Sequence, residues 1–181
     1  PSSVSHADSD KFYNSLMAVL EETIDGTYAD LDFTRIYGSG QSAGSMATQG
    51  FVRTNPEFYA AAASTSGLAV PDGTSQLPEG AGGAMPDFVI TGQSDLDNLM
   101  PDLWGSEMAN EWITYLFDVN NMPDAQIGTA DDEHEFINDR TKVYTWENSD
   151  GVPMVKYGYT LLRAHNCSPY EMPILWDFME H

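Results

Sequence analysis

The run from Tyr37 to Phe51, "YGSGQSAGSMATQGF", constrains the fold more than any other part of the chain. Gly38, Gly40 and Gly44 alternate with Ser39, Ser42 and Ser45, a density of small residues that would suit a flexible linker. A linker, however, is not bracketed by apolar residues at strand spacing on one side and helix spacing on the other. Phe33 to Tyr37 reads as a short buried strand, and Ala43 to Thr54 as a helix halted by Asn55-Pro56. A tight strand-to-helix turn is therefore expected, and within it Gly40-Gln41-Ser42-Ala43-Gly44 matches G-x-S-x-G. In such a turn the serine adopts a strained backbone and its hydroxyl projects from the end of the strand. The glycines two residues to either side are expected to let neighbouring chain pass close by. The serine also faces the positive end of the following helix, where the Ala43 N–H can donate to an oxyanion.

The rest of the chain continues the alternation. Upstream, Asp8 or Ser9 caps a helix carrying Phe12, Leu16, Met17, Leu20 and Ile24, which stops near Asp25-Gly26. Downstream, Tyr59 to Ser64 suits a strand, and Phe88 to Thr91 another, after a Pro/Gly loop over 71–86. A helix follows from Asp102 to about Asp118 with Trp104, Met108, Trp112, Tyr115 and Leu116 on or near one face, and then an acidic loop through Asp139. The strands Thr141 to Trp146 and Met154 to Leu162 flank "ENSDGVP", whose Asp150-Gly151 is a hairpin turn. A helix over Tyr170 to Met179 closes the chain. Strands alternating with helices predict an α/β fold with a mainly parallel sheet, and 181 residues predict a single domain over 1–181.

Charge excludes whole classes of partner. Seven Lys and Arg face 28 Asp and Glu, for a net charge of −21, so nucleic acid and anionic membrane surfaces are repelled. The carboxylates are spread along the chain and fit a hydrated surface, with adaptation to high salt as the sharper alternative. No run of eighteen apolar residues is present. No leader is visible, and a start at Pro1 rather than Met is consistent with a removed segment, which leaves the compartment open with secretion or a periplasmic location favoured. Cys167 is the one cysteine, so an internal disulfide is impossible. A buried thiol is expected, with a bridge to another chain as the alternative.

A nucleophilic Ser42 needs a base and a group that orients it, in the chain order Ser, Asp or Glu, His. Asp95, in "TGQSDLD", follows the Phe88 to Thr91 strand and is the expected acid, with Asp97 as competitor. Of the four histidines, His6 precedes the serine, His181 ends the chain and His134 sits within "DDEHE". His165 lies after the last strand and before the last helix, where the base belongs. Asp131, Asp132, Glu133, His134 and Glu135 form a run that could attract a metal ion, but consecutive residues do not converge on one ion and no D-x-D-x-D-G pattern is present. That run reads as a solvated loop. The chemistry asks for no metal and no cofactor. Gln41, next to the nucleophile, and Trp104 are the candidates for substrate contact, while Trp112 and Tyr115 at helical spacing read as core before they read as cleft lining.

Three stretches, "RIYGSGQSAGSMA", "PDFVITGQSD" and "LLRAHNCSPYEMPILWDFME", together resemble the polyhydroxybutyrate-depolymerase and feruloyl-esterase branch of the α/β-hydrolases. Residue by residue, the resemblance implies Ser42 as nucleophile, Asp95 as orienting acid and His165 as base. It implies hydroxyalkanoate or feruloyl-type carboxylic esters as substrates. Two departures are local: "HNCSP" replaces the threonine, tryptophan and proline that usually follow the histidine, and Ser45 stands where a second glycine is common. A larger one is that a hydrolase of this kind has several strands before the elbow strand, whereas one helix precedes Phe33 here. An elbow strand without its upstream neighbour presents an unpaired apolar edge. The expectation is the C-terminal half of a doubly wound hydrolase sheet, lacking the first strands and completed by a second polypeptide or by a missing N-terminal segment. A serine peptidase of the prolyl-oligopeptidase type and a non-catalytic hydrolase-like binding subunit are the alternatives.

Overall fold

The computed structural model describes residues 11, 14–16, 18–19, 22, 32–54, 56–69, 83–95, 107–127, 136–137 and 139–180, and the chain divides into two compact units, 1–34 and 35–181. In the first unit the described residues from Lys11 to Glu22 are helical, with the Ser15 hydroxyl donating to the Lys11 carbonyl at 2.7 Å. The predicted N-terminal helix is thus seen in these residues. A 3₁₀ turn occupies Phe33–Arg35 where a strand was expected. The Asp32 carboxylate accepts the Thr34 N–H at 3.0 Å and the Thr34 hydroxyl at 2.5 Å, and this local side-chain pairing holds the backbone in a turn instead of an extended ladder.

Among its described residues the second unit is a six-stranded sheet with helices on both faces. In chain order its elements are β1 (Tyr37–Gly38), α1 (Ala43–Thr54), β2 (Ala61–Thr65), β3 (Asp87–Gly92), α2 (Glu107–Val119), β4 (Phe136–Ile137), β5 (Thr141–Glu147), β6 (Pro153–Thr160) and α3 (Met172–Glu180). The spatial order is β1-β2-β3-β6-β5-β4. β1, β2, β3 and β6 run parallel, β5 is antiparallel to β6, and β4 to β5. The mainly parallel sheet predicted from the alternation is present. The two-residue β4, within the predicted acidic loop, was not expected.

Every residue of β2 and β3 is buried, as a parallel sheet covered on both faces requires. Successive side chains alternate between two layers. Ala62 joins Val52 of α1 and Met85, while Ala61, Ala63, Phe88 and Ile90 pack against Leu175 and Phe178 of α3. On the α1 side of β3, Val89 joins Val155, Tyr157, Trp112 and Ile113 beneath α2. Phe88 meets Phe178 edge to face at 5.4 Å, so truncating either ring would cost on the order of 3–5 kcal/mol. Trp112 is fully buried, which places it in the core and not in a cleft.

The β5–β6 connection is the predicted hairpin. Gly151 takes φ 76°, and the Asn148 carboxamide oxygen accepts the N–H groups of Asp150 and Val152 at 3.0 Å each. At the opposite margin, β1 has β2 as its neighbour among the described residues and so forms the sheet's edge. Tyr37 of β1 packs edge to face on the half-exposed Trp176 at 5.7 Å. Among the described residues no helix is long and apolar enough to cross a membrane.

Candidate active site

The turn between β1 and α1 is built as its composition predicts. Ser42 has φ 57°, a left-handed conformation that an L-residue with a Cβ adopts at a cost of about 1 kcal/mol or more. Hydrogen bonds on all sides hold it there. The Ser42 N–H donates to Thr65 O at 2.9 Å, the N–H groups of Ser45 and Met46 donate to Ser42 O at 3.0 and 3.2 Å, and Gly44 N–H donates to Gln41 O at 2.9 Å. Gln41 itself bridges Thr65 in parallel fashion and is exposed beside the serine. With its neighbours engaged in the turn, the Ala43 N–H at the start of α1 has no partner among the described residues and faces the same end of the helix as the Ser42 hydroxyl.

The glycines divide differently from the expectation. A Cβ on Gly40 would lie 2.3 Å from Gly44 O, so no other residue fits there, but a Cβ on Gly44 meets nothing within 4 Å. The second close approach is made by Gly67, beyond β2, where a Cβ would lie 2.3 Å from Ser42 O. Ser45, in the place where a glycine was expected, is fully buried and useful: its hydroxyl donates to Gly67 O at 2.8 Å. Gln49 extends this, donating to Gly67 O at 2.8 Å and accepting Ala69 N–H at 2.7 Å and the Trp112 indole N–H at 2.9 Å. The elbow is thereby locked to the loop after β2 and to α2.

Asp95 follows β3 and His165 follows β6, both at the carboxyl ends of parallel strands, beside the serine after β1. His165 Nδ1 lies 2.7 Å from Asp95 Oδ1, and Nε2 lies 2.7 Å from Ser42 Oγ. A carboxylate only accepts, so Nδ1–H donates to Asp95 and Nε2 is left to accept the serine proton. The Asp95 carboxylate is fully buried, while the imidazole is about a third exposed (31%). Asp95 Oδ2 accepts from the Ser66 hydroxyl at 2.8 Å and from Gly92 N–H at 3.1 Å.

Arg163, whose position in the sequence by itself points to no role, stands behind this arrangement. Its Nη1 donates to Ser66 Oγ at 2.6 Å and to the carbonyls of Ala164 and Asn166, its Nη2 donates to Ile90 O at 2.9 Å, and Nη1 lies 3.9 Å from Asp95 Oδ2. Nε is in ion-pair contact with Glu171 Oε1 at 2.6 Å, off the axis of an aligned N–H bond. Glu171 also accepts from Thr160 Oγ1 at 2.5 Å and from Ser168 N–H at 3.0 Å. Burial pulls the guanidinium below its ordinary pKa, and Glu171, then Asp95, oppose that fall. A signal was present in the sequence: with seven cations against 28 carboxylates, an arginine two residues before the candidate base is conspicuous.

Cys167 is exposed, correcting the expectation of a buried thiol. It sits in the surface loop that carries His165, between the exposed Asn166 and the half-buried Ser168, away from any apolar core. Trp104, Asp97, His6, His134, His181 and the acidic run 131–135 lie outside the described residues. Among the described residues no group of three His, Cys, Asp or Glu could hold a metal ion.

No family model matches this chain, and neither does any curated protein. Solved structures do. An acetyl xylan esterase from Aspergillus awamori superposes with a TM-score of 0.65 at 16% identity, over 93% of this chain and 66% of that one. SOBER1 of Arabidopsis thaliana superposes with a TM-score of 0.57 at 14% identity, over 99% of this chain and 66% of that one. The fold is that of an α/β-hydrolase. The chain spans about two thirds of the length of these neighbours.

Proposed function

We propose that this chain is a serine esterase in which Ser42 is the nucleophile, His165 the general base and Asp95 the acid that orients it. The observation that carries the reading is the continuous hydrogen-bonded line from Ser42 Oγ through both imidazole nitrogens to Asp95, starting from a serine at φ 57°. Ser42 Oγ attacks the ester carbonyl carbon while its proton passes to His165 Nε2, and the buried Asp95 carboxylate stabilises the imidazolium that forms. The developing oxyanion is met by the Ala43 N–H at the amino end of α1. His165 returns the proton to the departing alcohol, and the acyl-enzyme is released by water deprotonated at the same nitrogen.

The motif resemblance favours hydroxyalkanoate or feruloyl-type esters, and the structural likeness to an acetyl xylan esterase supports esters over amides. Gln41, exposed beside Ser42, is the described residue placed to touch the substrate, with Trp104 the other candidate. In the same reading a second polypeptide adds strands to the β1 edge and supplies a further oxyanion donor.

Two experiments test this. A fluorophosphonate probe is expected to give an adduct on Ser42, located by peptide mass spectrometry, and short acyl esters are expected to be cleaved in preference to peptide amides. Cleavage of amides without ester preference would turn the assignment to a peptidase, and no adduct even with the upstream polypeptide present would turn it to a binding subunit. Native mass spectrometry is expected to show a heteromer, and a fully active 19.9 kDa monomer would remove the partner.

A further inference from the structure

We infer that Arg163 and Glu171 form a buried charge couple that positions the Asp95–His165 pair and sets the pH at which it acts; this rests on the esterase reading. The geometry puts one guanidinium at the junction of four chain segments. Through its two Nη groups it touches Ser66 after β2, Ile90 of β3 and the carbonyls on either side of His165, and through Nε it faces Glu171 immediately before α3. Each segment carries or supports a reacting group. Ser66 donates to Asp95 Oδ2, and Ala164 and Asn166 flank His165, so one planar fork fixes the acid and the base relative to each other.

Ser66 shows that this position was shaped by the contact. It has φ 55°, the left-handed region, and its hydroxyl receives Arg163 Nη1 while handing its own proton to Asp95. A serine in that conformation is held there by its neighbours, as Ser42 is. The couple is also arranged to carry charge. Arg163 and Glu171 are 4% and 0% exposed, and in so dry a place neither would persist without the other. Together they are neutral, so the couple adds no net charge beside the Asp95–His165 pair.

Among the described residues, the charged and titratable groups at or next to the Asp95–His165 pair include Asp95 after β3, Arg163 and Cys167 in the loop of His165, Glu171 at the start of α3, Ser42 at α1, and Tyr157 of β6, which interacts with Asp95 and Arg163. Burial pushes Tyr157 up to about 12, so it stays neutral over the working range. The signs then follow from Coulomb's law. Removing the Arg163 charge leaves two carboxylates near the imidazole and favours its protonated form, which moves the acid limb of activity to higher pH. Removing the Glu171 charge leaves an excess cation and moves that limb to lower pH. Removing both restores the starting balance.

The experiment compares Arg163→Met, Glu171→Gln and the double variant with the unaltered chain. Each single variant is expected to lose roughly 10- to 100-fold in kcat with little change in KM, the scale typical of residues that orient a catalytic histidine's partners. The limbs should move in opposite directions by about one pH unit, and the double variant should return close to the start. A nuclear magnetic resonance titration of ¹³C-labelled histidine, with His165→Gln to assign the signal, reads the same displacement without any substrate. If the unaltered chain hydrolyses no ester but the imidazole signal still moves in opposite directions, the esterase reading fails and the charge couple stands. If esters are cleaved and both limbs and imidazole signals stay where they were, the couple has no electrostatic role and this inference is overturned. Should Arg163→Met not fold, the downward displacement in Glu171→Gln alone decides.

Discussion

Two buried arginines lie at opposite ends of β3 and show how the same chemistry serves different ends. At the amino end, Arg53 of α1 pairs with Asp87 at 3.2 Å and donates to the carbonyls of Gly83 and Met85 at 3.2 and 3.3 Å. Arg53 Nε and Asp87 Oδ1 have no hydrogen-bond partner among the described residues, and burial outweighs the guanidinium, pushing Asp87 up to about 6. At the carboxyl end, Arg163 reaches two carboxylates, a hydroxyl and three carbonyls, and one of those carboxylates holds the candidate base. Arg53 staples a loop to a helix with hydrogen-bonding capacity to spare. The carboxyl-end group likewise leaves its Nε without an aligned hydrogen bond, but its two Nη groups reach neighbours whose positions matter to fractions of an ångström.

Variants at the two ends should therefore fail in different ways. The largest effect belongs to Ser42→Ala, expected to lower kcat/KM on short acyl esters by about 10⁴-fold or more while leaving the thermal midpoint nearly unchanged. A variant with comparable residual turnover would break the comparison at its catalytic end. Arg53→Met should do the reverse. Denaturant unfolding is expected to register a loss of about 3–5 kcal/mol because Asp87 is left buried and unpaired, with kcat per folded molecule unchanged, and Arg53→Met with Asp87→Leu should recover most of that loss.

Asp87 gives the amino end its own pH signature. Its folded value of about 6 lies above the ordinary 3.8, so between those limits the folded state binds more protons than the unfolded chain. Its contribution therefore favours folding below pH 4 and is lost as pH rises through 6, a swing of roughly 3 kcal/mol that Asp87→Asn should abolish in unfolding curves recorded across that window. The smallest effect separates two glycines. Gly44→Ala should stabilise the helix by about 0.5–1 kcal/mol, since nothing obstructs its Cβ, whereas Gly67→Ala should disrupt the elbow. Calorimetry on the two variants reads the contrast directly.

What the sequence made legible follows local chemistry. The elbow, α1, the hairpin at Asp150-Gly151 and the parallel order of strands were all readable, because each depends on a periodicity or a turn residue confined to a short stretch. The meeting of Ser42, Asp95 and His165 was readable through chain order and strand ends. The role of Arg163 was not, since its partners lie as far away as Ser66 and Ile90, and no spacing rule connects them. The glycine at 67 was hidden for the same reason: what it avoids is a carbonyl 25 residues earlier in the chain. The strand expected from Phe33 failed on a two-residue side-chain contact from Asp32 that outcompeted an apolar pattern.

The edge-to-face contact between Tyr37 and Trp176 has an optical consequence. Of the described tryptophans, Trp112 and Trp146 are sealed in the core, while Trp176 keeps half its surface in water beside the outermost strand. Any polypeptide that lies down along that strand would dry the indole, so a blue shift in emission, removed by Trp176→Phe, would report the docking as it happens, with no label attached.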